Sequence, residues 1–190
     1  MHLQAGWLTG VKRVPSPHCN QRPEHDSPTL LVIHNISLPP GEFGGPWIDA
    51  LFTGTLDPTA HAYFAEIAHL RVSAHCLIRR DGEIVQYVPF HLRAWHAGVS
   101  RYQGREACND FSIGIELEGT DVLPYTDAQY QALQRVTRLL ARHYPQLAEN
   151  ITGHSDIAPE RKTDPGPAFD WIRFRNGLEM PQAGVADDAF

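Results

Sequence analysis

The sequence predicts a single α/β domain in which a central mixed β-sheet is flanked by helices. Three observations support this fold class. The continuous apolar, β-branched run Thr29–Ile36 is typical of a central strand buried on both faces. Two further apolar runs, 74–78 and 84–88, flank Asp81-Gly82, which is a strong hairpin signal. Helical patterns are interleaved with these strands, which indicates helices packed on a sheet.

The remaining strand and the first helix are predicted from local patterns. Residues 1–28 are rich in proline, histidine and charge and predict an irregular lead-in. A short helix is predicted over 47–52. In Ser112–Leu117, isoleucines alternate with Gly114 and Glu116, which predicts another strand. The lone glycine indicates that another group approaches the backbone closely there.

The second half of the chain carries a clear helix signal. Thr126–Gln129 is a capping box that opens a helix, and Pro145 ends that helix. A last, shorter helix is predicted over 169–178. We therefore predict one domain over 1–180, followed by a disordered tail over 181–190.

Composition excludes several classes of function. The chain has 190 residues, a net charge of -6 and no cluster of basic residues, so nucleic acid and anionic membranes are not expected partners. No apolar run is long enough to span a bilayer, and the N-terminus lacks the pattern of a secretory signal. Cys19, Cys76 and Cys108 form no CxxC pair and are predicted to be reduced thiols. These features favour a cytoplasmic protein.

A candidate metal site is the most informative feature of the chain. His34 ends the first apolar run, and His154 and Asp164 lie in a stretch interrupted by proline and glycine, 153–167, that is typical of a loop. Two imidazoles and one carboxylate can hold a zinc ion and leave its fourth position open, as in hydrolytic zinc sites. The chain has 11 histidines, and no close-spaced motif singles out a pair, so four others compete as ligands on composition alone: His61, His69, His75 and His96.

Two charged residues have both a functional and an ordinary interpretation. Glu116, with Glu118 two positions on, is either part of a solvated acidic face or a buried carboxylate able to accept a proton, and the pattern does not choose between these interpretations. Lys162 is either a solvated lysine or, two residues before a candidate ligand, a cation facing an oxyanion.

Five segments that contain these residues resemble one known family, the type-2 N-acetylmuramoyl-L-alanine amidase superfamily, and within it the cytoplasmic amidases of peptidoglycan recycling. The resemblance extends from Gly6 to about Phe174. The matching segments are IHNISLPPGEFGG (33–45), SAHCLI (73–78), RAWHAG (93–98), NDFSIGIE (109–116) and 153–166, which begins with GH and ends with PG.

The resemblance implies a central mixed sheet with a zinc cleft on one side. It implies that His34, His154 and Asp164 are the zinc ligands, that Glu116 is the general base and that Lys162 stabilises the oxyanion. Phage relatives place a cysteine at the position of Asp164, and a harder oxygen ligand leaves the metal more Lewis-acidic than a thiolate would.

The implied reaction is zinc-dependent hydrolysis of the amide bond between the lactyl group of (1,6-anhydro)-N-acetylmuramic acid and L-alanine of the stem peptide. The expected partner is an anhydro-muropeptide, and the protein is expected to be a monomer. Because this substrate carries several carboxylates, an arginine clamp is expected, with Arg71 the first choice and Arg161 the second. Asn35 is expected to bind the peptide backbone, and Trp95 to pack on the sugar. Core packing for Trp95 and a structural ion pair for Arg71 are the alternatives.

Two other functions remain open at this point. A periplasmic or secreted autolysin would use the same chemistry on intact wall, although the missing signal pattern and the three unpaired cysteines speak against it. A peptidoglycan-binding module would keep the groove without catalysis, but such modules typically lack part of the ligand and catalytic set that is complete here.

Overall fold

The computed structural model describes residues 1–179, and its centre is a six-stranded sheet. In spatial order the strands run β6-β2-β5-β3-β4-β1. Neighbouring strands are parallel throughout, except that β3 and β4 form an antiparallel hairpin. The strands are β1 (Lys12–Arg13), β2 (Leu30–Ile36), β3 (Cys76–Ile78), β4 (Ile84–Gln86), β5 (Ser112–Glu118) and β6 (Ile151–Gly153). The predicted mixed sheet and the predicted hairpin are therefore confirmed.

Strands β2 and β5 form the middle of the sheet and determine where the site lies. They pair in parallel over their whole length, from Ser112 opposite Leu30 to Glu118 opposite Ile36. In this register Glu116 is the partner of His34. Because parallel strands end at the same edge of a sheet, both side chains lie near the carboxyl edge, where ligands bind in open α/β sheets.

Helices cover both faces of the sheet. The bounds are α1 (Trp47–Thr53), α2 (Phe64–Ile67), α3 (Asp127–His143), α4 (His154–Ile157) and α5 (Trp171–Glu179), with 3₁₀ turns at Cys108–Asp110 and Pro145–Glu149. Helices α3 and α5 pack with Ile33 and Ile115 on one face, whereas α1 and α2 pack with Leu77 on the other. The arrangement is a single domain of sheet and flanking helices, as predicted.

The long helix α3 begins where the sequence indicates. The Thr126 hydroxyl accepts a hydrogen bond from the Gln129 backbone N–H at 3.1 Å, and the Gln129 side chain accepts one from the Thr126 N–H at 3.1 Å. This reciprocal pair is the capping box that the sequence predicts. The helix ends at His143, two residues before Pro145.

The segment predicted to be an irregular lead-in contributes one strand to the sheet. Lys12–Arg13 pairs with β4 at the edge, and two residues give no periodicity from which such a strand can be predicted. Three other pairs of two-residue strands lie outside the sheet: Leu3–Gln4 with Trp7–Leu8, Cys19–Asn20 with Arg93–Ala94, and Arg101–Tyr102 with Arg105–Glu106. The predicted tail over 181–190 lies outside the described residues. Within residues 1–179, none of the helices combines the length and the apolar character needed to cross a bilayer.

Candidate metal centre

Three donor atoms converge at the carboxyl edge of strands β6, β2 and β5. His34 lies near the end of β2, His154 is the first residue of α4 directly after β6, and Asp164 lies in the loop that follows. His34 Nδ1 is 3.0 Å from His154 Nδ1 and 3.3 Å from Asp164 Oδ2, and His154 Nδ1 is 3.3 Å from the Asp164 carboxylate. The sequence positions of these ligand candidates are far apart, and the fold brings them together.

This triangle fits a tetrahedral zinc ion. Ligands about 2.0–2.1 Å from such an ion lie about 3.3–3.4 Å from one another. The observed separations of 3.0–3.3 Å are close to that spacing. Two nitrogens and one carboxylate oxygen also match the donor preference of catalytic zinc, which takes three protein ligands and keeps one position open. The residues present therefore fit the metal that the sequence analysis expects.

Hydrogen bonds to the outer ring nitrogens orient both imidazoles. His154 Nε2 lies 3.1 Å from the Ala97 carbonyl oxygen, which only accepts, so Nε2 carries the proton and the Nδ1 lone pair faces the centre. His34 Nε2 lies 2.9 Å from His96 Nδ1. If His34 Nδ1 carries a lone pair, the proton of the ring is on Nε2. His34 Nε2–H then donates a hydrogen bond to His96 Nδ1. Such outer partners fix the tautomer of a metal-binding histidine.

The competing histidines have other roles. Both ring nitrogens of His96 are engaged, Nδ1 with His34 and Nε2 with Ser112 Oγ at 3.0 Å. His75 is fully buried, and its Nε2 donates to the Leu92 carbonyl at 2.9 Å. His61 and His69 are exposed and belong to no group of converging donors among residues 1–179. The ring of His96 also lies against Gly114, as expected from the lone glycine in β5.

Protonation at the centre suits metal binding. Burial lowers the pKa of His34 to about 4, although the adjacent Asp164 carboxylate opposes the shift. Burial by itself raises the pKa of Asp164, but the adjacent His154 and His34 rings outweigh this effect and hold that pKa below its usual value. Near neutral pH the site therefore offers a neutral His34 imidazole and an ionised Asp164, which are the forms that bind metal ions.

Glu116 is a buried carboxylate next to the donor triangle. Its Oε1 lies 3.9 Å from His34 Nδ1, and Oε2 is buried without a hydrogen-bond partner among residues 1–179. Burial, with a smaller contribution from the charge of Asp164, raises its pKa well above the usual value. Glu116 is 8% exposed and Glu118 only 2%, so the solvated acidic face considered in the sequence analysis is wrong.

The centre opens into a cleft of about 530 Å³. Lys162 lines this cleft, and its charge influences the pKa of both Glu116 and His34. The cleft is also lined by all four residues named as substrate contacts in the sequence analysis: Asn35, Arg71, Trp95 and Arg161. The structure thus brings every predicted site residue to one cavity.

The surroundings of these four residues differ. Arg71 takes part in none of the ion pairs found among residues 1–179. Trp95 is half-buried, stacks on His18 and donates from Nε1 to Asn20 at 3.1 Å. Arg161 donates to the Ala97 and Val99 carbonyls at 2.7 and 2.9 Å. Asn35 Nδ2 donates to Asp121 Oδ1 at 2.7 Å and has the Tyr125 hydroxyl and the Pro165 carbonyl within 3.2 Å.

Three residues that support the centre cannot be identified from the sequence. Ser112 hydrogen-bonds His96, and Asp121 and Tyr125 both hydrogen-bond the side chain of Asn35, which lies far from them in the chain. Each is a common residue in an ordinary strand or loop pattern, and no motif marks it. The sequence offers one indirect signal, which lies in the residues that Asp121 contacts. These residues are next to candidate ligands, since Thr163 precedes Asp164 and Asn35 follows His34.

The fold and the centre together define a class of protein, an α/β domain with three converging side-chain donors that could hold a metal ion. Residues 24–167 match the family model Amidase_2, described as N-acetylmuramoyl-L-alanine amidase. The chain belongs to this family.

Individual relatives narrow the comparison to one group within the family. The chain is 78% identical to the 1,6-anhydro-N-acetylmuramyl-L-alanine amidase AmpD of Escherichia coli K12, over 92% of this chain and 96% of the relative. A crystal structure of a selenomethionine AmpD derivative matches with a TM-score of 0.93 and 75% identity, covering 94% of this chain and 99% of that one. E. coli AmiD, solved with anhydro-N-acetylmuramic acid-L-Ala-D-γ-Glu-L-Lys, matches with a TM-score of 0.61 and 29% identity, covering 83% and 60%.

Proposed function

We propose that this protein is a zinc-dependent amidase that cleaves the bond between the lactyl group of 1,6-anhydro-N-acetylmuramic acid and L-alanine of the stem peptide. The observation that carries the proposal is the donor triangle of His34, His154 and Asp164 next to the buried carboxylate of Glu116. The names of the AmpD relatives and the substrate bound to AmiD support the choice of substrate.

The proposed metal ligands are His34 Nδ1, His154 Nδ1 and the Asp164 carboxylate. When bound, zinc would supply Lewis acidity, which lowers the pKa of water and polarises a carbonyl oxygen. The protein's contribution is to orient the two imidazoles through Ala97 and His96.

Glu116 is proposed as the general base and then the general acid. A raised pKa brings its proton affinity closer to neutral pH, where a group that both accepts and donates a proton is most effective. Glu116 accepts a proton from the attacking water as the water oxygen bonds to the lactyl carbonyl carbon. It then donates that proton to the nitrogen of L-alanine as the carbon–nitrogen bond breaks. The products are a carboxylic acid on the sugar and a peptide with a free amino terminus.

Lys162 is proposed to stabilise the negative charge that develops on the carbonyl oxygen. It lines the same cleft as Glu116, and a fixed cation there acts most strongly when that charge forms. Because the ground-state carbonyl is neutral, the interaction favours the transition state over bound substrate.

The remaining cleft residues are proposed to bind substrate. Arg71 is the better candidate for a carboxylate of the stem peptide, because the Arg161 guanidinium already donates to two backbone carbonyls. The half-buried Trp95 offers an apolar ring surface for the sugar. Asn35 uses its amide nitrogen within the protein, so a contact with a peptide N–H would be made by its amide oxygen.

We also propose that the enzyme acts as a monomer in the cytoplasm, on fragments recovered during peptidoglycan recycling. The three cysteines are free thiols, two of them buried, which suits a reducing compartment. The names of the AmpD relatives specify a 1,6-anhydro sugar, which supports this choice of substrate.

The proposal is tested by incubating the protein with anhydro-muramyl-tripeptide and detecting the products by mass spectrometry. The metal content of the same samples is measured in parallel. We expect wild type to hold about one zinc, as a three-ligand catalytic site should, and to release a peptide that begins with L-alanine. The Glu116→Ala variant is expected to keep zinc and lose turnover, whereas Asp164→Ala is expected to lose zinc.

Three outcomes would contradict parts of the proposal. Binding of the muropeptide without cleavage would indicate a binding module. Full zinc and activity in Asp164→Ala would show that the ligand set is wrong. Faster cleavage of intact wall sacculi than of the anhydro substrate would favour an autolysin.

A further inference from the structure

Asp121 lies beside the candidate centre but has no part in the proposed chemistry. It is half-buried in the segment 119–125 that connects β5 to α3. Its Oδ1 accepts a hydrogen bond from Asn35 Nδ2 at 2.7 Å, and its Oδ2 accepts one from Thr163 Oγ1 at 2.5 Å. Both carboxylate oxygens are thus bonded to residues outside the segment that carries Asp121.

The two partners of Asp121 are the chain neighbours of two metal ligands. Asn35 directly follows His34, and Thr163 directly precedes Asp164. Neighbouring Cα atoms are about 3.8 Å apart across a trans peptide bond, so a shift of either partner would be passed to the adjacent ligand with little loss. One carboxylate therefore connects the end of strand β2 to the loop that carries the Asp164 ligand.

Backbone contacts show that this loop is seated directly on the Asp121 segment. Gly166 adopts a φ of +78°, and a Cβ there would lie 2.4 Å from the Cα of Asp121, so only glycine fits this close approach. The Ala168 N–H donates to the Asp121 carbonyl at 2.9 Å, and the Tyr125 hydroxyl donates to the Pro165 carbonyl at 2.7 Å. The loop thus has several attachments, and the Tyr125 hydroxyl and the Pro165 carbonyl also lie within hydrogen-bond distance of Asn35 Nδ2. The Asp121 carboxylate adds a link from the Asn35 side chain to the Thr163 side chain, next to the Asp164 ligand.

We infer that Asp121 is a positioning residue of the metal centre, whose carboxylate sets the separation of His34 and Asp164. The inference rests on the metal site of the proposed function, but not on the substrate or the reaction. Groups that orient metal ligands typically contribute 10–100-fold to metal affinity. A carboxylate that only stabilised the loop would change unfolding without changing the affinity of the folded protein.

The test is zinc affinity, measured by competition with a chromophoric chelator on variants shown to be folded by circular dichroism. We expect Asp121→Ala to bind zinc about 10–100-fold more weakly than wild type. Asp121→Asn is expected to recover most of the affinity, because its amide oxygen still accepts from Asn35 and its amide nitrogen can donate to the Thr163 hydroxyl. Asp127→Ala is the matched control, since Asp127 is 82% exposed and pairs with Arg173 at the surface, and we expect its affinity to be unchanged.

Cobalt(II) substitution provides a readout of geometry. The visible absorption of cobalt is expected to differ between Asp121→Ala and wild type and to agree between Asp127→Ala and wild type. Wild-type zinc affinity together with a wild-type cobalt spectrum in Asp121→Ala would overturn the inference. If Asp121→Ala does not fold, Thr163→Val decides the question, because it removes one of the two bonds without a change of charge. An affinity of Thr163→Val within about twofold of wild type would then refute the positioning role, and a larger loss supports it.

The test of the proposed reaction is independent of the test of Asp121. If wild type binds zinc but does not cleave the muropeptide, the proposed function is wrong, and the comparison of zinc affinities still judges Asp121.

Discussion

Two glutamates on β5 show how strongly the surroundings decide the role of a residue. Glu118 accepts hydrogen bonds from Arg79 Nη1 at 3.0 Å and from the backbone N–H groups of Gly44 at 2.9 Å and Arg80 at 3.1 Å, so it is fully engaged as a structural anchor. Glu116, two positions earlier, has a buried oxygen without such a partner among residues 1–179 and a raised pKa. Glu118 is therefore committed to the fold, whereas the unpartnered oxygen of Glu116 supports its proposed role in proton transfer.

The proposed role of the Lys162 side chain can be tested against the other lysine of the chain as a control. The chain has two lysines, Lys12 and Lys162. We expect Lys162→Met to lower kcat about 10²–10³-fold with zinc content unchanged, because it removes a cation from the developing oxyanion. Lys12→Met is expected to have wild-type kcat, since Lys12 pairs with Asp49 at the surface. Steady-state cleavage of the anhydro-muropeptide measures both, and equal kcat values for the two variants would remove Lys162 from the mechanism.

A second prediction concerns the hydrogen bond between His34 and His96. His96→Ala removes the acceptor that lies 2.9 Å from His34 Nε2, and we expect zinc affinity to fall about 10–100-fold. His96→Asn places an amide oxygen near the position of Nδ1, so we expect it to recover much of that loss. Chelator competition at 25 °C is the measurement. An equally large loss in both variants would show that His96 acts through packing rather than through this bond.

Among the elements, β5 links the core to the site. Its residues are buried throughout, and it pairs with β2 on one side and β3 on the other. Glu116 comes from this strand, Ser112 supports His96 from it, and Gly114 leaves space for the His96 ring. A change in the middle of β5 should therefore affect both stability and the metal centre.

Gly114→Ala tests this link. An added Cβ would lie 2.4 Å from Cγ of His96, so the ring must move away. We expect a loss of about 1–3 kcal/mol in the free energy of unfolding, as for other overpacked sites, together with weaker zinc binding. Urea unfolding and chelator competition are the measurements. In the double variant with His96→Ala the alanine methyl has room, so the two stability losses should not add, and simple additivity would contradict this explanation.

How far the sequence predicts each element depends on whether its signal is local. The capping box at Thr126, the hairpin at Asp81-Gly82 and the apolar run of β2 depend on neighbouring residues, and the structure confirms all three. The edge strand Lys12–Arg13 and the contacts of Asp121 depend on segments far apart in the chain. The burial of Glu116 was undecided for the same reason, because alternation identifies a face of the sheet but not what covers it.

For the whole molecule, net charge and local charge have opposite signs. The chain carries a net charge of -6, yet the cleft is lined by three basic residues, Arg71, Arg161 and Lys162, against two carboxylates, Glu116 and Asp164. The proposed substrate, an anionic muropeptide, would therefore meet these basic side chains within a protein whose net charge is negative. Binding of this proposed substrate would then depend on the few basic residues in the cleft rather than on the electrostatic field of the protein's net charge.

Acid stability is also a property of the whole molecule. Burial, reinforced by the charge of Arg22, lowers the pKa of His75 to about 3. The pKa of a histidine in an unfolded chain is about 6.5. Between these values the unfolded chain binds a proton that the folded chain does not, so stability is lost as the pH falls from about 6.5 toward 3. His34 and His96 are shifted in the same direction by burial of their rings, which lowers the pKa of each.

Urea unfolding from pH 7 to pH 4 measures this effect. We expect the free energy of unfolding of His75→Gln to depend on pH less steeply than that of wild type, by about 1.4 kcal/mol per pH unit, which corresponds to one proton. His69→Gln is the control, since His69 is exposed and its substitution should leave the slope unchanged. Equal slopes in His75→Gln and wild type would show that His75 does not contribute.

The wide spacing of the three proposed ligands along the chain has a thermodynamic consequence. His34 and His154 are 120 positions apart, so an unfolded chain cannot present the three donors together without closing a very long loop. A metal ion that binds the folded chain and not the unfolded one stabilises the fold by mass action. Above the dissociation constant, each tenfold rise in free zinc adds about 1.4 kcal/mol. The melting temperature of this protein should therefore follow the free zinc concentration of its surroundings, rising as zinc is added and falling under a chelator.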